Sequence, residues 1–435
     1  MQARGRRSGL GLPVLASGGD FSYTPSPFFK AQEFPLAVTL SKRVQKVKPS
    51  PTLAVTARAA KLKAEGKDII GLGAGEPDFD TPVHIADAGV EAIRSGVTRY
   101  TNVDGTPELK DAIIAKFKRD NGLTYERGQI LVSSGAKQTC FNVCAALLDP
   151  GDECVIPAPY WVSYPDMALL ADGVPVSVYA GPEQGYKITP AQLAAAITPR
   201  SKLIFINSPS NPTGAAYTKA EMQALGKVLE QHPNIVIASD EMYEHIYWAS
   251  EPFTSFAQAN PALYDRTVTI NGVSKAYAMT GWRIGYCGGP KAIVSAMATI
   301  QGQSTSNASS ISQRASTVAL NSDQSCVATM NTAFKQRHDF VVAGLNAIPG
   351  ISCLAGAGTF YAFADVRGAM QTLGIKDDND FAEYLLVEGG VAVVPGSGFG
   401  APGHMRISFA CSMQTLEDAL SRIRRVLTVA VAKRA

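Results

Sequence analysis

From about Ser41 onward the chain alternates between two hydrophobic periods. Short β-branched and apolar runs, QILVSS, ECVIPAP, PVSVYA, KLIFIN, NIVIAS and TVTI, read as buried strands. Between them apolar residues recur three and four apart, the spacing of a half-buried helix. Thr106-Pro107-Glu108 opens one such helix, with Leu109, Ala112, Ile113, Lys116 and Phe117 on its face. Thr218 and Glu221 form a capping pair for another. An earlier helix opens at Ser50-Pro51-Thr52 and runs through Ala54, Ala57 and Leu62 to stop near Gly66. Strands and helices in alternation predict an α/β fold with a mostly parallel sheet covered by helices. Ligands gather at the carboxyl ends of such strands, and Asn211, Asp240, Tyr243 and Lys275 fall there.

The pattern changes after Gly302. QSTSNASSISQ is polar and Ser-rich, and a helical pattern follows from Gln324 to Ala347. GTFYAF, VAVVPG and MRISFA are strand candidates less regularly interleaved with helices. A last helix begins near Thr415, with Leu416, Ala419, Leu420, Ile423 and Leu427 as its apolar stripe. This third of the chain predicts a smaller α+β domain.

Composition narrows the partners. Hydrophobic residues make up 46% and charged residues 18% of 435, ample for a large core. A net charge of +3 sets up no strong field for nucleic acid or a membrane surface. Seven scattered cysteines without CxxC spacing predict reduced thiols in a cytoplasmic setting and no zinc site. The five histidines, 84, 232, 245, 338 and 404, stand alone in the sequence, so no metal is expected. No apolar run has the length to cross a bilayer. The first 38 residues, with Arg4, Arg6 and Arg7 among Gly, Ser and Pro, read as a disordered leader. An organelle transit peptide and an upstream start codon are the alternatives.

Candidate chemistry centres on NGVSKAYAMTGWRIGY. Lys275 follows the TVTI strand among small and polar neighbours, with Arg283 eight residues on, beside Gly281 and Gly285. A lysine so placed can lose its proton and act as a nucleophile, though a snorkelling lysine fits this stretch alone equally well. GLGAG does not satisfy G-x-G-x-x-G, and Glu76-Pro77 stops a helix from starting where phosphates would sit. In QILVSSGAKQ a strand turns into a helix start, whose amides can hold a phosphate. Asp240 as a helix N-cap, Asn211 as a turn residue and Trp161 as a core residue are the plainer alternatives.

SKAYAMTGWRIGY, SPSNPTG, SDEMYEH, AGEPDFDTP, APYWVSY and MRISFA together resemble the fold-type I pyridoxal-phosphate aminotransferases. The resemblance is strongest to the bacterial-type aspartate aminotransferases of subgroup I-beta, and it covers roughly Leu40 to Leu427. It implies pyridoxal 5′-phosphate as cofactor, joined covalently to Lys275, which also moves the substrate proton. It implies Asp240 as partner of the ring nitrogen, Tyr243 and Asn211 at the phenolic oxygen, and Trp161 stacked on the ring. The phosphate would rest on Gly135 and Ala136 with Arg283 and Ser274, and on Tyr100 from a neighbouring subunit, making a homodimer. Some branches of the family carry a serine three residues before the lysine, where this chain has Gly272.

The same resemblance places Arg406 at the substrate α-carboxylate, with Gly75, Trp161 and Asn211 lining the substrate. Lys137 and Thr52 would read a distal carboxylate. It therefore implies amino transfer between aspartate or glutamate and a 2-oxo acid, with prephenate as a further acceptor. An aminotransferase for aromatic or neutral amino acids, and a carbon–sulfur lyase, are the alternatives. A regulatory protein with an aminotransferase-like sensor domain would need a helix-turn-helix ahead of it, and the leader is too short for one. The expected division is residues 1–38 as leader and 82–318 as the large cofactor-binding domain. Residues 39–81 and 319–435 would form the small domain.

Overall fold

A computed structural model describes residues 39–47, 49 and 51–432, with side chains to 429. The leader of residues 1–38 and the expected helix-opening Ser50 lie outside the described residues. Chain contacts separate residues 1–41 from one compact unit of residues 42–435, to which everything below belongs.

Among the described residues the thirteen strands, in chain order, are β1 (Ile70–Gly71), β2 (Ile130–Ser133), β3 (Glu153–Ala158), β4 (Val174–Tyr179), β5 (Ser201–Asn207), β6 (Val236–Asp240), β7 (Thr267–Gly272), β8 (Gly285–Gly288), β9 (Ser352–Cys353), β10 (Tyr361–Asp365), β11 (Val391–Ala392), β12 (Val394–Pro395) and β13 (His404–Ser408). Seven form one sheet in the order β2-β8-β7-β6-β5-β3-β4, parallel except for β8, which runs antiparallel to both neighbours. The mostly parallel α/β architecture is therefore present. Strands β2, β7 and β8 are buried at every position, as a sheet covered on both faces requires. The helix Ala136–Leu147 covers one face, with Ala136, Cys140, Val143 and Cys144 packed against Leu131, Phe205, Ala238 and Ile270.

A second sheet, β12-β13-β10-β9, is antiparallel, and β1 pairs with β11. Three local expectations need correction. VAVVPG is two strands in different sheets, broken at Val393. The strand expected at the head of Ile69–Pro82 is only two residues long. Part of the polar Ser-rich stretch is a helix, Ser310–Asn321, whose buried face is largely polar. Its Gln313 explains how polar residues can face inward: Nε2 donates to Thr101 Oγ1 (3.0 Å) and Ala308 O (2.9 Å), and Oε1 accepts from Thr106 N (2.8 Å).

The chain leaves β6 through a turn anchored by Glu241. Its Oε1 accepts from Ser239 Oγ (2.8 Å), Ser255 Oγ (2.8 Å) and Phe256 N (3.0 Å), while buried Oε2 has no partner. Burial, and then the neighbouring Glu244 carboxylate, push Glu241 up to about 7. A carboxyl raised in the folded state stabilises the fold below its unfolded value, and that contribution is lost as pH rises through 7. Glu241→Gln, which keeps the acceptor and removes the charge, should therefore change the melting temperature little at pH 4. It should leave the protein less sensitive than wild type to pH between about 4.5 and 7, the difference levelling off at about 3 kcal/mol above pH 8. Parallel melting curves for the two proteins across that range would refute this.

Candidate active site

The carboxyl ends of β5, β6 and β7 open on one cleft of about 390 Å³. Twelve of the fourteen expected site residues line it: Thr52, Gly75, Ala136, Lys137, Trp161, Asn211, Asp240, Tyr243, Ser274, Lys275, Arg283 and Arg406. Gly135 stands one residue behind the lining, at the N-cap of the helix Ala136–Leu147. Tyr100 is elsewhere, 91% exposed, in a separate open hollow with Thr305 and Ser309.

Lys275 sits in the turn after β7, and its Nζ donates to Gly75 O. The Phe360 ring centroid lies 5.6 Å from the amine. Loss of water, and then the positive charge of Arg406, lower its pKa to about 8, against opposing pulls from Glu76 and Asp240. The amine is still mostly protonated at neutral pH, but far more of it is neutral than of an ordinary lysine, as a nucleophile or general base requires. Asp240 ends β6. Its Oδ2 accepts from Tyr164 Oη at 2.6 Å and faces Cys140 Sγ at 3.9 Å; its Oδ1 accepts only from Met242 N at 3.3 Å. Burial raises its pKa despite those donors, so a cationic partner on the cleft side would be strongly held.

Arg406 comes from the other sheet, in β13. It is 2% exposed, donates to Asn211 Oδ1 (3.0 Å) and Gly73 O (2.8 Å), and lies over the Tyr361 ring at 4.3 Å. Its Nε is buried without a partner, and no carboxylate pairs with it among the described residues. A buried guanidinium with unspent hydrogen-bonding capacity is arranged for an anion that enters later.

A second anion cradle forms where the helix Ala136–Leu147 begins. The first amides of a helix lack acceptors one turn back within it, and Ala136 and Lys137 of this first turn line the cleft. Arg283 lies alongside, held by a bond from Nη1 to Thr280 O (2.9 Å), with its backbone in the left-handed region (φ 57°). That conformation is uncommon for a non-glycine residue. A Cβ at Gly135 would run into the Arg283 guanidinium, and one at Gly285 into the Ala136 amide. At Gly272 a side chain would meet Ile284 O at 2.9 Å, so the serine of other branches has no room here.

Lys137 lies with Nζ 5.1 Å from the Trp161 ring, and loss of water followed by the Arg283 charge lowers its pKa. Trp161 packs edge-on to Tyr164, which stacks on Phe205 at 4.3 Å. The sequence reading missed Tyr164, Asn207, Glu76 and Tyr361, all of which line the cleft. Asn207 donates to Asp240 O (2.9 Å) and accepts from Asn211 N (2.9 Å), and Tyr361 Oη lies 3.1 Å from Tyr243 Oη. Tyr164 and Asn207 stand within motifs already singled out, three residues from Trp161 and at the end of KLIFIN. Nothing local distinguished Tyr361 from a strand aromatic. His245 is also not isolated: its Nε2 lies 3.4 Å from Asp120 Oδ2 and 3.3 Å from Glu244 Oε1, away from the cleft.

Residues 67–423 match the family model described as aminotransferase class I and II. An aspartate/prephenate aminotransferase of Nitrosomonas europaea is 58% identical over 395 residues, 89% of this chain and all of that protein. An aspartate aminotransferase of Rhizobium meliloti is 51% identical over 388 residues, 88% of this chain and 95% of that one. The crystal structure of the Rhizobium meliloti aspartate aminotransferase superposes with a TM-score of 0.87 at 49% identity, covering 90% of this chain and 99% of that one. The Thermus thermophilus aspartate aminotransferase with maleate gives 0.84 at 43% identity, over 89% of this chain and 100% of that one.

Two outcomes test the site's physics without any substrate. In cofactor-free protein, reductive labelling by a small aldehyde should favour Lys275, with a midpoint near pH 8; peptide mapping that finds labelling spread over surface lysines would contradict this. Gly285→Ala should cost about 1–3 kcal/mol in thermal unfolding by forcing the helix start away from β8. An unchanged melting temperature would show the contact to be soft.

Proposed function

This chain belongs to the class I and II aminotransferase family, and from that premise we propose an aspartate:2-oxo-acid aminotransferase that uses pyridoxal 5′-phosphate. Aspartate and glutamate are the amino donors, and 2-oxoglutarate, oxaloacetate and prephenate the acceptors. The observation that carries the reading is the trio around one cleft: an amine lowered to about 8, a buried carboxyl, and a buried guanidinium with a free nitrogen. The names of the relatives support the substrates, since one is an aspartate/prephenate and one an aspartate aminotransferase.

The residues fit the cofactor. An aldehyde finds an amine in Lys275, a ring nitrogen finds an acid in Asp240, and a phosphate finds the helix start with Arg283 and Ser274. Gly135 and Gly285 keep that helix start bare, which is the cradle a phosphate needs. Pyridoxal phosphate, when bound, supplies an electron sink for the bond electrons of the substrate α-carbon.

The chain's own residues do the rest. Asp240 holds the ring nitrogen protonated; a charge pair at contact is worth about 4 kcal/mol at an effective dielectric of 20. Tyr243 and Asn211 would hold the phenolic oxygen, and Trp161 would cover the ring. Arg406 binds the α-carboxylate, with the loop at Gly75 close enough for its backbone to share it. Lys275, whose pKa is lowered to about 8, would carry a proton from the substrate α-carbon. Lys137 and Thr52 receive the distal carboxylate, which favours acidic substrates over neutral ones because an unpaired Lys137 would be costly.

The homodimer belongs to the same proposal. Tyr100 and the apolar Val83, Val90 and Ile93 are all exposed on one short stretch of chain, as residues covered by a partner would be. Seven unpaired cysteines fit a reducing, cytoplasmic setting. A large domain of residues 82–318 and a small one of 39–81 with 319–435 fit the separate sheets.

Purified protein should show a visible cofactor band that aspartate bleaches and 2-oxoglutarate restores. Pyruvate released from cysteine conjugates without any acceptor would point instead to the lyase. Lys137→Ala should lower kcat/KM for aspartate by about 10- to 100-fold, the effect of about 1.4–3 kcal/mol. Slow transfer from neutral amino acids should be left unchanged. Equal losses on both substrate classes would remove the distal-carboxylate role.

A further inference from the structure

Behind the cleft lies a second cluster of charge, none of whose central members lines the cleft. Lys116, 1% exposed, forms an ion pair with Glu244 Oε1 and donates to Asn121 Oδ1 at 2.7 Å. Glu244 Oε2 accepts from Asn121 Nδ2 at 2.7 Å, and Oε1 accepts from Asn271 Nδ2 at 2.9 Å. Asn271 also donates to Glu241 O at 3.2 Å. Three separate segments meet there: the end of the helix Pro107–Asn121, the turn after β6, and the end of β7.

The position of Asn271 gives the cluster its meaning. Its side chain grips the backbone one residue after Asp240 and the carboxylate four residues after it, while its own chain reaches Lys275 four residues later. Tyr243 is held between the two gripped points. Stability alone does not account for the arrangement, because a buried ion pair commonly does no better than well-packed apolar side chains of the same volume. Nor does a bound cation. The ligand atoms of Asp120, Glu244 and His245 lie within 4.8 Å of one another, but the Lys116 amine already contacts Glu244 there.

We propose that Lys116, Glu244 and Asn271 are positioning residues: together they brace the Asp240–Tyr243 turn against the approach to Lys275 and so fix the span across which the cofactor ring is held. This rests on the cofactor reading above. Removing Asn271 would let the two turns drift independently, and the ring would lose its orientation before the protein loses its fold.

The test uses the full-length protein stripped of cofactor and titrated with pyridoxal phosphate, following tryptophan fluorescence and the circular dichroism induced in the cofactor's visible band. Asn271→Ala and Glu244→Gln should each raise Kd at least tenfold and at least halve the induced dichroism. The double variant K116M/E244Q, which leaves no unpaired charge, should recover melting temperature relative to Lys116→Met while keeping the weakened dichroism. It also decides the matter if the single variants fail to fold. Kd within twofold of wild type and unchanged dichroism in whichever variants fold would overturn the brace. Wild-type protein that binds no pyridoxal phosphate would overturn the cofactor reading itself, and the brace with it.

Discussion

Two neighbouring parallel strands that end at the same edge are the constraint on which this molecule depends. β6 and β7 run side by side with Asp240 opposite Ile270, so the chain leaves both strands at one rim. The carboxyl is the last residue of its strand, and the amine lies a few residues past its neighbour's end. No side-chain attraction need bring them together, because the backbone ladder does so. The tyrosine, the asparagines and the helix start then fall around the same opening because every parallel strand of the sheet points the same way. The buried polar contacts behind the rim, to Glu241, Glu244 and Asn271, matter because strand ends are otherwise the least constrained part of a sheet.

The cleft's charge differs from that of the whole chain. Four cationic side chains line it (Lys137, Lys275, Arg283 and Arg406) against two acids (Glu76 and Asp240), an excess of two. The full sequence carries only +3 over 435 residues. Concentrating so much of a small surplus in one cavity raises the local concentration of doubly charged anions. It also explains the lowered lysine: each cation suffers the others with little water between them.

Much of this was legible beforehand because parallel strands are long apolar runs and their ends carry conspicuous polar residues. KLIFIN, NIVIAS and TVTI needed no tertiary knowledge to be read as strands. β8 was harder: four residues, GYCG, half of them glycine, carry no periodic signal, and only pairing with two neighbours makes a strand of them. The helix Ser310–Asn321 was obscured for the opposite reason. Its inward face is largely serine, threonine and glutamine, with Gln313 bonded to the distant Thr101 and Thr106, and hydropathy reads such a face as loop. Tyr361 and Tyr164 act through contacts to Tyr243 and Asp240, which lie 118 and 76 residues away in sequence. Residue identity signals what touches a ligand better than what steadies the residues that do.

The strand order also dictates when the cavity can come into being during synthesis. β3 to β7 are contiguous in sequence, and their pairing needs nothing that the ribosome has not already delivered by Gly272. β2 emerges before all of them yet must wait, because its only neighbour in the sheet is β8, more than 150 residues downstream. The helix start that follows β2 is therefore without its wall until Gly288 has left the exit tunnel, and Arg406 arrives later still. A nascent chain cannot hold an anion at this place by the same contacts, so ligand capture belongs to the completed polypeptide.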